Sequence, residues 1–290
     1  MPFEHLGGEG PTDAAADKGL APLLRAWRLT AGLTLGRNKA LSQKEVAEAA
    51  GVSERWYRSL EGGGTVSLPP EVLDRLAEAL SLGADERLAL YAHALRGSTF
   101  TRPYAVDEHG MPDALRQLVE SPLHVPAYLT DHAWNVIGHN AYMATWFPWV
   151  VRDSSPNLLR WALTSPEART QLANWHRHAE HYLAQLRFGL LNWPDDPSLD
   201  DLLEEVLEVP ECRRIWQGPT QVLAYRQGHR FRLRLPHVSP DELTVASQVL
   251  LPAFHPGVRF VMLLPQEGGR GVQAQPQTRA RGGAQLSGAA

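Results

Sequence analysis

The sequence is poor in cysteine and in long apolar runs. Its single cysteine, Cys212, cannot form an intramolecular disulfide or a multi-cysteine metal site, and we interpret it as a packed thiol rather than a nucleophile. No run approaches the roughly eighteen apolar residues of a membrane span. Residues 1–18 lack the apolar core of a signal peptide and contain several acidic residues. We therefore expect a cytoplasmic protein with no membrane partner.

An overall excess of positive charge is also absent. The formal net charge is −4, which by itself disfavours a nucleic-acid partner because phosphate contacts need a basic surface. Residues 19–64 differ, since they contain seven basic and four acidic side chains and so a net charge of +3. Much of the compensating acid lies in residues 195–208. The length of 290 residues and the hydrophobic content of 43% fit a globular protein of two domains.

Signatures of catalysis are missing as well. The sequence contains no His-Glu-x-x-His zinc motif, no Gly-x-Ser-x-Gly elbow and no dinucleotide-binding glycine motif between a strand and a helix. His176, His178 and His181 lie close together around Glu180. Only His178 and His181, three residues apart, would share one helix face, and no third and fourth metal ligand for that pair can be identified. We interpret these histidines as a solvated or interface-lining face. The prediction is a non-enzymatic protein with no catalytic residues, no metal and no cofactor.

The stretch Ser42–Gly62 predicts two short helices joined by a tight turn. Ser42 can cap the first helix, and Glu45, three residues later, completes a capping box. Gly51 turns the chain, and Ser53 stands where a second N-cap is needed. The apolar residues fall at helical spacing on one side of each helix, which leaves Glu54, Arg55, Trp56, Arg58 and Ser59 on the outer side of the second helix. This pattern indicates a helix-turn-helix whose second helix enters a DNA major groove.

Helical periodicity continues on both sides of this pair. A first helix is predicted over about 20–31, a fourth begins at the Pro69-Pro70 pair, and a fifth runs over about 85–95 with Leu88, Tyr91 and Leu95 pointing inward. A plain helix pair in an all-α core is the alternative interpretation. The five-helix pattern resembles the Cro/repressor-type helix-turn-helix domain of the xenobiotic-response-element family of bacterial regulators. The residues that carry this resemblance are Ser42-Gln43, Val46-Ala47, Gly51-Val52-Ser53, Tyr57, Leu60-Glu61 and the Pro70–Asp74 run.

Each polar residue of the motif receives a predicted role. We expect Gln43 and Lys44, at the start of the first helix of the pair, to contact phosphate, together with Ser53 and Arg58. Glu54, Arg55 and Trp56 of the second helix of the pair are expected to face base edges. The basic loop before Ser42 either contacts phosphate or is merely solvated. A homodimer is expected, because two recognition helices related by a two-fold axis can address half-sites about 34 Å apart. The predicted DNA-binding residues are Arg37, Lys39, Gln43, Lys44, Ser53, Glu54, Arg55, Trp56 and Arg58.

Composition divides the chain into two domains. We predict a disordered N-terminus over 1–18, the helix-turn-helix domain over 19–97, a linker over 98–111, a second domain over 112–265 and a disordered tail over 266–290. The second domain is predicted to contain one strand within 128–140 and a helix over 140–147. Helices over 166–191 and 198–209 follow, and then β-rich segments over 221–225, 231–235, 243–251 and 258–264. This order favours an α+β domain with its helices over one sheet face.

Several runs in the second domain carry a further resemblance. They are Asp131–Asn140, Asn157–Trp161, Asn174-Trp175, Ala184–Arg187, Asp195–Leu199, Pro210–Trp216 and the strands from Leu243 to Leu264. These runs resemble the ligand-binding domain of MmyB-like transcription regulators. The resemblance implies a PAS-like architecture and a small apolar, fatty-acid-like ligand. One departure is that residues 217–221 read Gln-Gly-Pro-Thr-Gln, where the family usually has a short segment that contains histidine.

The aromatic residues of the second domain suit the lining of an apolar pocket, although each of them could equally be ordinary core. A polar head group could meet Arg160, Asn140 or Arg187. The predicted ligand-binding residues are Trp134, Asn140, Trp146, Phe147, Arg160, Trp161, Trp175 and Tyr182.

Together these patterns predict a sequence-specific, double-stranded-DNA-binding transcription regulator that a small apolar ligand modulates. The alternative is a ligand-binding or protein-interaction module whose helix-turn-helix domain serves assembly and does not touch DNA. A basic face over the second helix would support the first interpretation, and an apolar patch centred on Trp56 would support the second.

Overall fold

The structure, a computed structural model, describes residues 19–95, 113–225, 228–252, 255 and 257–266. The predicted disordered N-terminus, the predicted linker and, apart from Gln266, the predicted tail lie outside these residues. Within them, no helix combines the length and the apolar composition that a membrane crossing requires.

The first part of the chain folds into five helices, α1 (Leu20–Thr34), α2 (Gln43–Ala50), α3 (Glu54–Glu61), α4 (Pro70–Ala79) and α5 (Ala84–Ala94). The predicted capping signals are confirmed. Ser42 and Glu45 form the reciprocal capping box of α2, Gly51 ends that helix in the left-handed region at φ 67°, and Ser53 caps α3. Gly51 suits this position because it has no Cβ to oppose a positive φ.

The prediction for the inward side of α5 was wrong. Ala89 and Leu90 are the residues of α5 that are fully buried. Leu88 and Leu95 instead keep 45% and 54% of their surface exposed, and Tyr91 is only partly buried. Periodicity identifies an apolar side of a helix but not what covers that side. Here Leu88, Tyr91 and Leu95 line a cavity against the second domain.

The second domain contains more and shorter helices than predicted. The described helices are α6 (Asp113–Glu120), α7 (Ala141–Trp146), α8 (Trp149–Arg152), α9 (Leu158–Thr164), α10 (Pro166–Gln171), α11 (Trp175–Asn192), α12 (Pro197–Leu207) and α13 (Pro210–Trp216). The single helix predicted over 166–191 is interrupted at residues 172–174, where Asn174 adopts φ 59°. Asn tolerates this left-handed conformation better than most residues, so the chain changes direction there.

Five antiparallel strands form one sheet in the order β2-β1-β5-β4-β3. They are β1 (Ala127–Thr130), β2 (Val136–His139), β3 (Arg230–Leu233), β4 (Leu243–Leu250) and β5 (Arg259–Pro265). Most of the helices pack on the face that carries Tyr128 and Val261. The face that carries Leu129 and Phe260 is covered by α6. The α+β class is confirmed, but the prediction of helices over one face only was wrong.

Two strand predictions need correction. The stretch 128–140 forms two strands rather than one, because the Asp131 carboxylate accepts hydrogen bonds from the backbone N–H groups of Ala133 and Asn135, both at 2.9 Å, and closes a turn. Residues 221–225 form no strand. Their Val222 and Ala224 are instead buried against the helix-turn-helix domain.

The two domains share one apolar core. The cluster formed by α1–α5 also contains Phe188 and Leu191 of α11, together with Val222 and Ala224. The backbone N–H of Ala224 donates to the Asp85 carboxylate at 3.1 Å, which fixes the start of α5 against the second domain. The helix-turn-helix domain is therefore packed directly on the second domain.

Candidate DNA interface and ligand cavities

A buried ion pair holds the candidate recognition helix α3 against α1. The Arg28 guanidinium donates two hydrogen bonds to the Glu61 carboxylate, both at 2.8 Å. The Glu61 side chain is 4% exposed and that of Arg28 is 18% exposed. A bidentate pair of this kind fixes orientation as well as distance. The C-terminal end of α3 is therefore locked to the body of the domain.

The charges of this pair are stabilised in the folded state. Burial by itself would raise the pKa of Glu61, but the hydrogen bonds from Arg28 and Gln43 outweigh it, so the pKa lies below its ordinary value of 4.5. The neighbouring Tyr57 is fully buried, and burial together with the negative charge of Glu61 raises the pKa of its hydroxyl. Glu61 is thus ionised and Tyr57 neutral around pH 7.

The opposite side of α3 is exposed and carries unneutralised positive charge. Arg55, Arg58 and Ser59 are all exposed there, while Tyr57 and Leu60 are buried beneath the helix. The four carboxylates between residues 19 and 64 pair with specific bases: Glu45 with Arg37, Glu48 with Lys44, Glu54 with Arg58 and Glu61 with Arg28. Among the described residues, no carboxylate forms an ion pair with Arg25, Lys39 or Arg55. The local charge of +3 therefore resides on these three side chains.

Two of the predicted DNA-facing residues are engaged inside the domain. The Gln43 amide donates to Glu61 at 3.1 Å and accepts from Arg58 at 3.4 Å, so it bridges α2 and α3. Trp56 is partly buried and packs against the apolar core of α1–α5. Ser53 uses its hydroxyl to accept the Trp56 backbone N–H at 3.2 Å, which is its capping role.

The loop between α1 and α2 folds back onto α1. The Lys39 carbonyl would lie only 2.1 Å from a Cβ on residue 32, so this close approach requires Gly32. The Leu41 N–H donates to the Arg28 carbonyl at 3.1 Å. Arg37 is ion-paired with Glu45, whereas the Lys39 side chain is exposed. The backbone that carries Arg37 and Lys39 is therefore held against α1.

An inner cavity of about 50 Å³ lies between the sheet and α11. Two of the predicted ligand-binding residues, Trp134 and Tyr182, line it. Its polar lining includes Thr130, Gln185 and Ser247. This volume is well below the roughly 300–1,000 Å³ that is typical of small-molecule sites.

Arg259 and Tyr225 stand between this inner cavity and a larger one, because both residues line both cavities. The Arg259 guanidinium is 5% exposed and lies over the Trp134 ring, 4.3 Å from its centroid. It donates to the carbonyls of Asp131 at 2.9 Å and His132 at 3.3 Å. Burial lowers the pKa of Arg259 from 12.5 to about 10.

The remaining predicted ligand-binding residues line neither of these two cavities. Asn140 caps α7 and bonds the Ala127 backbone N–H at 3.1 Å, and Arg160 pairs with Glu205 at 2.7 Å. Trp161 stacks on Trp149 with ring centroids 4.9 Å apart. The other three are also buried in the core: Trp146, Phe147 and Trp175, whose indole donates to the Ala162 carbonyl at 2.7 Å.

His178 and His181 are brought together with a further histidine, His229, that the sequence did not suggest. His178 is 5% exposed, and His229 lies 4.6 Å from His181 between ring centroids. His176 is exposed and lies 3.6 Å from Glu180. Among the described residues, no group of three or more histidine, cysteine, aspartate or glutamate side chains has a geometry that could hold a metal ion.

Sequence reasoning missed the buried Arg28–Glu61 pair and the buried Arg259. A signal for Arg259 was present, since it is the one charged residue of the apolar run Val258–Leu264. A lone arginine in such a run faces either solvent or a partner in the interior, and alternation in β5 places it with Val261 on the helix-covered face. No comparable signal distinguished Glu61 from an exposed glutamate.

This combination of a helix-turn-helix domain with a cavity-containing α+β domain is the organisation of a ligand-responsive DNA-binding regulator. A family model described as "MmyB-like transcription regulator ligand binding domain" matches residues 111–274, and one described as "Helix-turn-helix domain" matches residues 20–90. A comparison with curated proteins gives no significant match. The chain belongs to the family of MmyB-like transcription regulator ligand-binding domains, and its helix-turn-helix domain makes it a ligand-modulated transcription regulator. Both families are in general non-enzymatic.

Proposed function

We propose that this protein binds a specific double-stranded DNA sequence through α3 and that a small apolar, fatty-acid-like molecule bound by the second domain changes its affinity for that DNA. One observation carries the proposal for DNA. The buried Arg28–Glu61 pair locks α3 while Arg55, exposed and without a carboxylate partner among the described residues, projects from its outer side. Arginine placed in this way can donate two hydrogen bonds to guanine in the major groove.

The other residues proposed for the DNA interface contact phosphate, contact base edges or position a neighbouring side chain. Lys44 is 70% exposed and its pairing with Glu48 at 3.8 Å is weak, so it is available to phosphate. Arg37, Lys39, Ser53 and Arg58 complete the proposed backbone contacts. Glu54 and Trp56 are proposed to flank Arg55 at the base edges, and Gln43 to position Arg58.

Trp56 also distinguishes this proposal from an assembly module. An assembly surface on this side of the domain would present Trp56 as part of an exposed apolar patch. Trp56 instead packs partly into the core, and its exposed neighbours Arg55 and Ser59 are polar. A polar and basic outer side favours DNA over a protein partner.

We further propose a homodimer, an affiliation of the first domain with the xenobiotic-response-element family, and a PAS-like architecture for the second domain. A single α3 reads only a few base pairs, so two copies are needed to reach operator-level specificity. The five-stranded antiparallel sheet with helices packed mainly on one face supports the PAS-like assignment.

The test is a DNA titration with matched variants. A binding site is first selected from random duplexes with the full-length protein, and light scattering of the complex gives its stoichiometry. On the selected site, Arg55→Ala is expected to lose about 1–3 kcal/mol and to relax the preference for one base. Lys44→Ala should weaken selected and random DNA equally and should lower the salt dependence.

Arg177→Ala serves as the control because Arg177 is an exposed arginine of the second domain. It should bind the selected site as the wild type does. Equal losses for Arg55→Ala on selected and on random DNA would contradict the assignment of α3 as the reading helix, and failure to select any sequence would contradict specific DNA binding.

A further inference from the structure

A separate cavity of about 280 Å³ lies between α11, α13 and the segment 218–221. It shares no lining residue with the two cavities that meet at Arg259. Its walls carry charge of both signs, since Glu180 and Arg187 of α11 and Arg214 of α13 all line it. The volume lies just below the range of about 300–1,000 Å³ that is typical of drug-sized ligands, so it suits a smaller and more polar molecule.

Arg187 forms a rigid, positively charged wall of this cavity. Its side chain is 3% exposed, and its guanidinium lies over the Trp216 ring, 4.0 Å from the centroid. It donates to the backbone carbonyls of Trp216 at 2.9 Å and Gln221 at 3.2 Å. A guanidinium has five N–H donors, which is more than these two carbonyls take up. Because neutral carbonyls only partly compensate for the lost hydration of a buried cation, an anion beside Arg187 would be stabilised.

Arg214 brings a second guanidinium to the same cavity. It is exposed, and within the described part of the chain it forms no ion pair with a carboxylate. The carboxylate one turn earlier in α13, Glu211, is paired with Arg169 at 3.2 Å. The cavity therefore presents one fixed and one adaptable guanidinium. Each of them matches a carboxylate group in shape and charge.

Glu180 supplies the opposite charge. Its side chain is 46% exposed and lies 3.6 Å from the exposed His176, an ion pair of the weak surface kind. Glu180 and Arg187 are seven residues apart on α11, which separates their backbones by about 10.5 Å along the helix axis. A ligand with negative charge alone would be repelled by Glu180, whereas an ammonium group would be attracted to it. The three charges thus select two carboxylates and one ammonium group.

We propose that this cavity binds an acidic α-amino acid, with its two carboxylates on Arg187 and Arg214 and its ammonium group on Glu180. Leu183 and Ile215, which also line the cavity, would contact the methylene groups of the ligand. This ligand is a small, highly polar molecule, so it differs in chemistry and in location from the apolar effector of the proposed function.

The segment that lines this cavity leads directly into the core of the helix-turn-helix domain. Gln221 lines the cavity, and Val222 and Ala224 are buried among the helices of the first domain. The backbone N–H of Leu223 donates to the carbonyl of Ala184, another lining residue, at 3.2 Å. A ligand that binds one arrangement of this connection most tightly shifts the population towards it, and DNA that prefers an arrangement changes the ligand affinity by the same factor. This regulatory part rests on the proposed function.

The test measures L-glutamate binding to the full-length protein by titration calorimetry without DNA. One molecule is expected to bind per chain. L-glutamine, which lacks one carboxylate, should bind on the order of 10–100-fold more weakly, because a charged hydrogen-bond partner is lost. Glutarate, which lacks the ammonium group, should bind about fivefold more weakly, since Glu180 is partly exposed and its attraction is screened.

Three variants assign these differences to particular residues. Arg214→Gln should weaken L-glutamate about tenfold and should reduce its advantage over L-glutamine. Glu180→Gln should remove the advantage of L-glutamate over glutarate. Arg177→Gln is the matched control, because Arg177 is an exposed arginine of α11 that does not line the cavity, and it should leave the affinity within about twofold at physiological salt. Both test variants replace exposed side chains, so they avoid the folding risk of replacing the buried Arg187.

The proposal is overturned if L-glutamate does not saturate a site, if L-glutamine binds as tightly, or if Arg214→Gln binds L-glutamate as the wild type does. An unchanged ratio of L-glutamate to glutarate affinity in Glu180→Gln would overturn the placement of the ammonium group. Specific DNA binding is measured separately, and saturating L-glutamate should change it about fivefold or more. Absent DNA binding with the expected L-glutamate pattern would reject the proposed function and retain the cavity, and the opposite result would reject the cavity alone.

Discussion

The buried pair between Arg28 and Glu61 gives the sharpest prediction for stability. Replacing one partner leaves the other charge uncompensated, which typically costs about 3–5 kcal/mol. Glu61→Leu should fall at the lower end, because the remaining Arg28 side chain is 18% exposed and can recover some water. Arg28→Met should cost more, because the remaining Glu61 carboxylate is only 4% exposed.

The double variant Arg28→Met/Glu61→Leu removes both charges and replaces them with apolar side chains. It should lie within about 1 kcal/mol of the wild type, because the desolvation penalty of both ions disappears together. Urea unfolding of the full-length protein at pH 7, followed by circular dichroism, measures all four proteins. Losses that simply add in the double variant, or single-variant losses below about 1 kcal/mol, would refute the role assigned to the pair.

The same pair predicts how stability depends on pH. The pKa of Glu61 is lowered in the folded state, so its contribution is complete above the ordinary value of 4.5 and is lost as the pH falls through the lower folded-state pKa. The advantage of the wild type over Arg28→Met should therefore shrink as the pH falls towards 4.5 and below, because the buried, unpaired Glu61 of the variant takes up a proton first. Unfolding midpoints of both proteins between pH 7 and pH 3 check this, and a constant difference would contradict it.

Two further substitutions test local features of the fold. Ser53→Ala removes the N-cap of α3 and should destabilise the protein by about 1 kcal/mol, whereas the exposed mid-helix Ser59→Ala should have little effect in the same urea assay. Gly189→Ala places a Cβ 3.0 Å from two ring carbons of Trp134, which is 3% exposed and also lies against the Arg259 guanidinium. The cost of overpacking, about 1–3 kcal/mol, should exceed the gain of about 0.5–1 kcal/mol from replacing a helical glycine by alanine, so the variant should be less stable than the wild type. A raised melting temperature would instead show that Trp134 can move.

The helix-turn-helix was predictable because its signals are local. A capping box, a left-handed glycine and a 3.6-residue period all act within one or two turns of the chain, so Ser42, Glu45, Gly51 and Ser53 could be assigned from their neighbours alone. The inward side of α5 could not be assigned in this way. Leu88 and Leu95 line a cavity whose opposite wall comes from more than ninety residues further along the chain.

The second domain was less predictable because its turns depend on side chains. One strand became two because the Asp131 carboxylate binds the backbone of its own turn, and Trp134 within that turn adopts φ 63°, which tryptophan rarely does. Of the aromatic residues predicted to bind a ligand, Trp134 and Tyr182 line the inner cavity. The number of aromatics in the domain could not separate those two from Trp146, Phe147, Trp161 and Trp175, which fill the interior.

The shared core between the domains limits how this regulator can be rearranged. Modular regulators are commonly pictured as a DNA reader that can be exchanged between different sensors. Here Phe188, Leu191 and Ala224 belong to the second domain by sequence but to the interior of the first domain by packing. A chimera that joined residues 19–95 to an unrelated sensor would leave an unfilled gap and an exposed apolar surface on its reader. A functional exchange would therefore have to move the helix-turn-helix domain together with the end of α11 and residues 222–224.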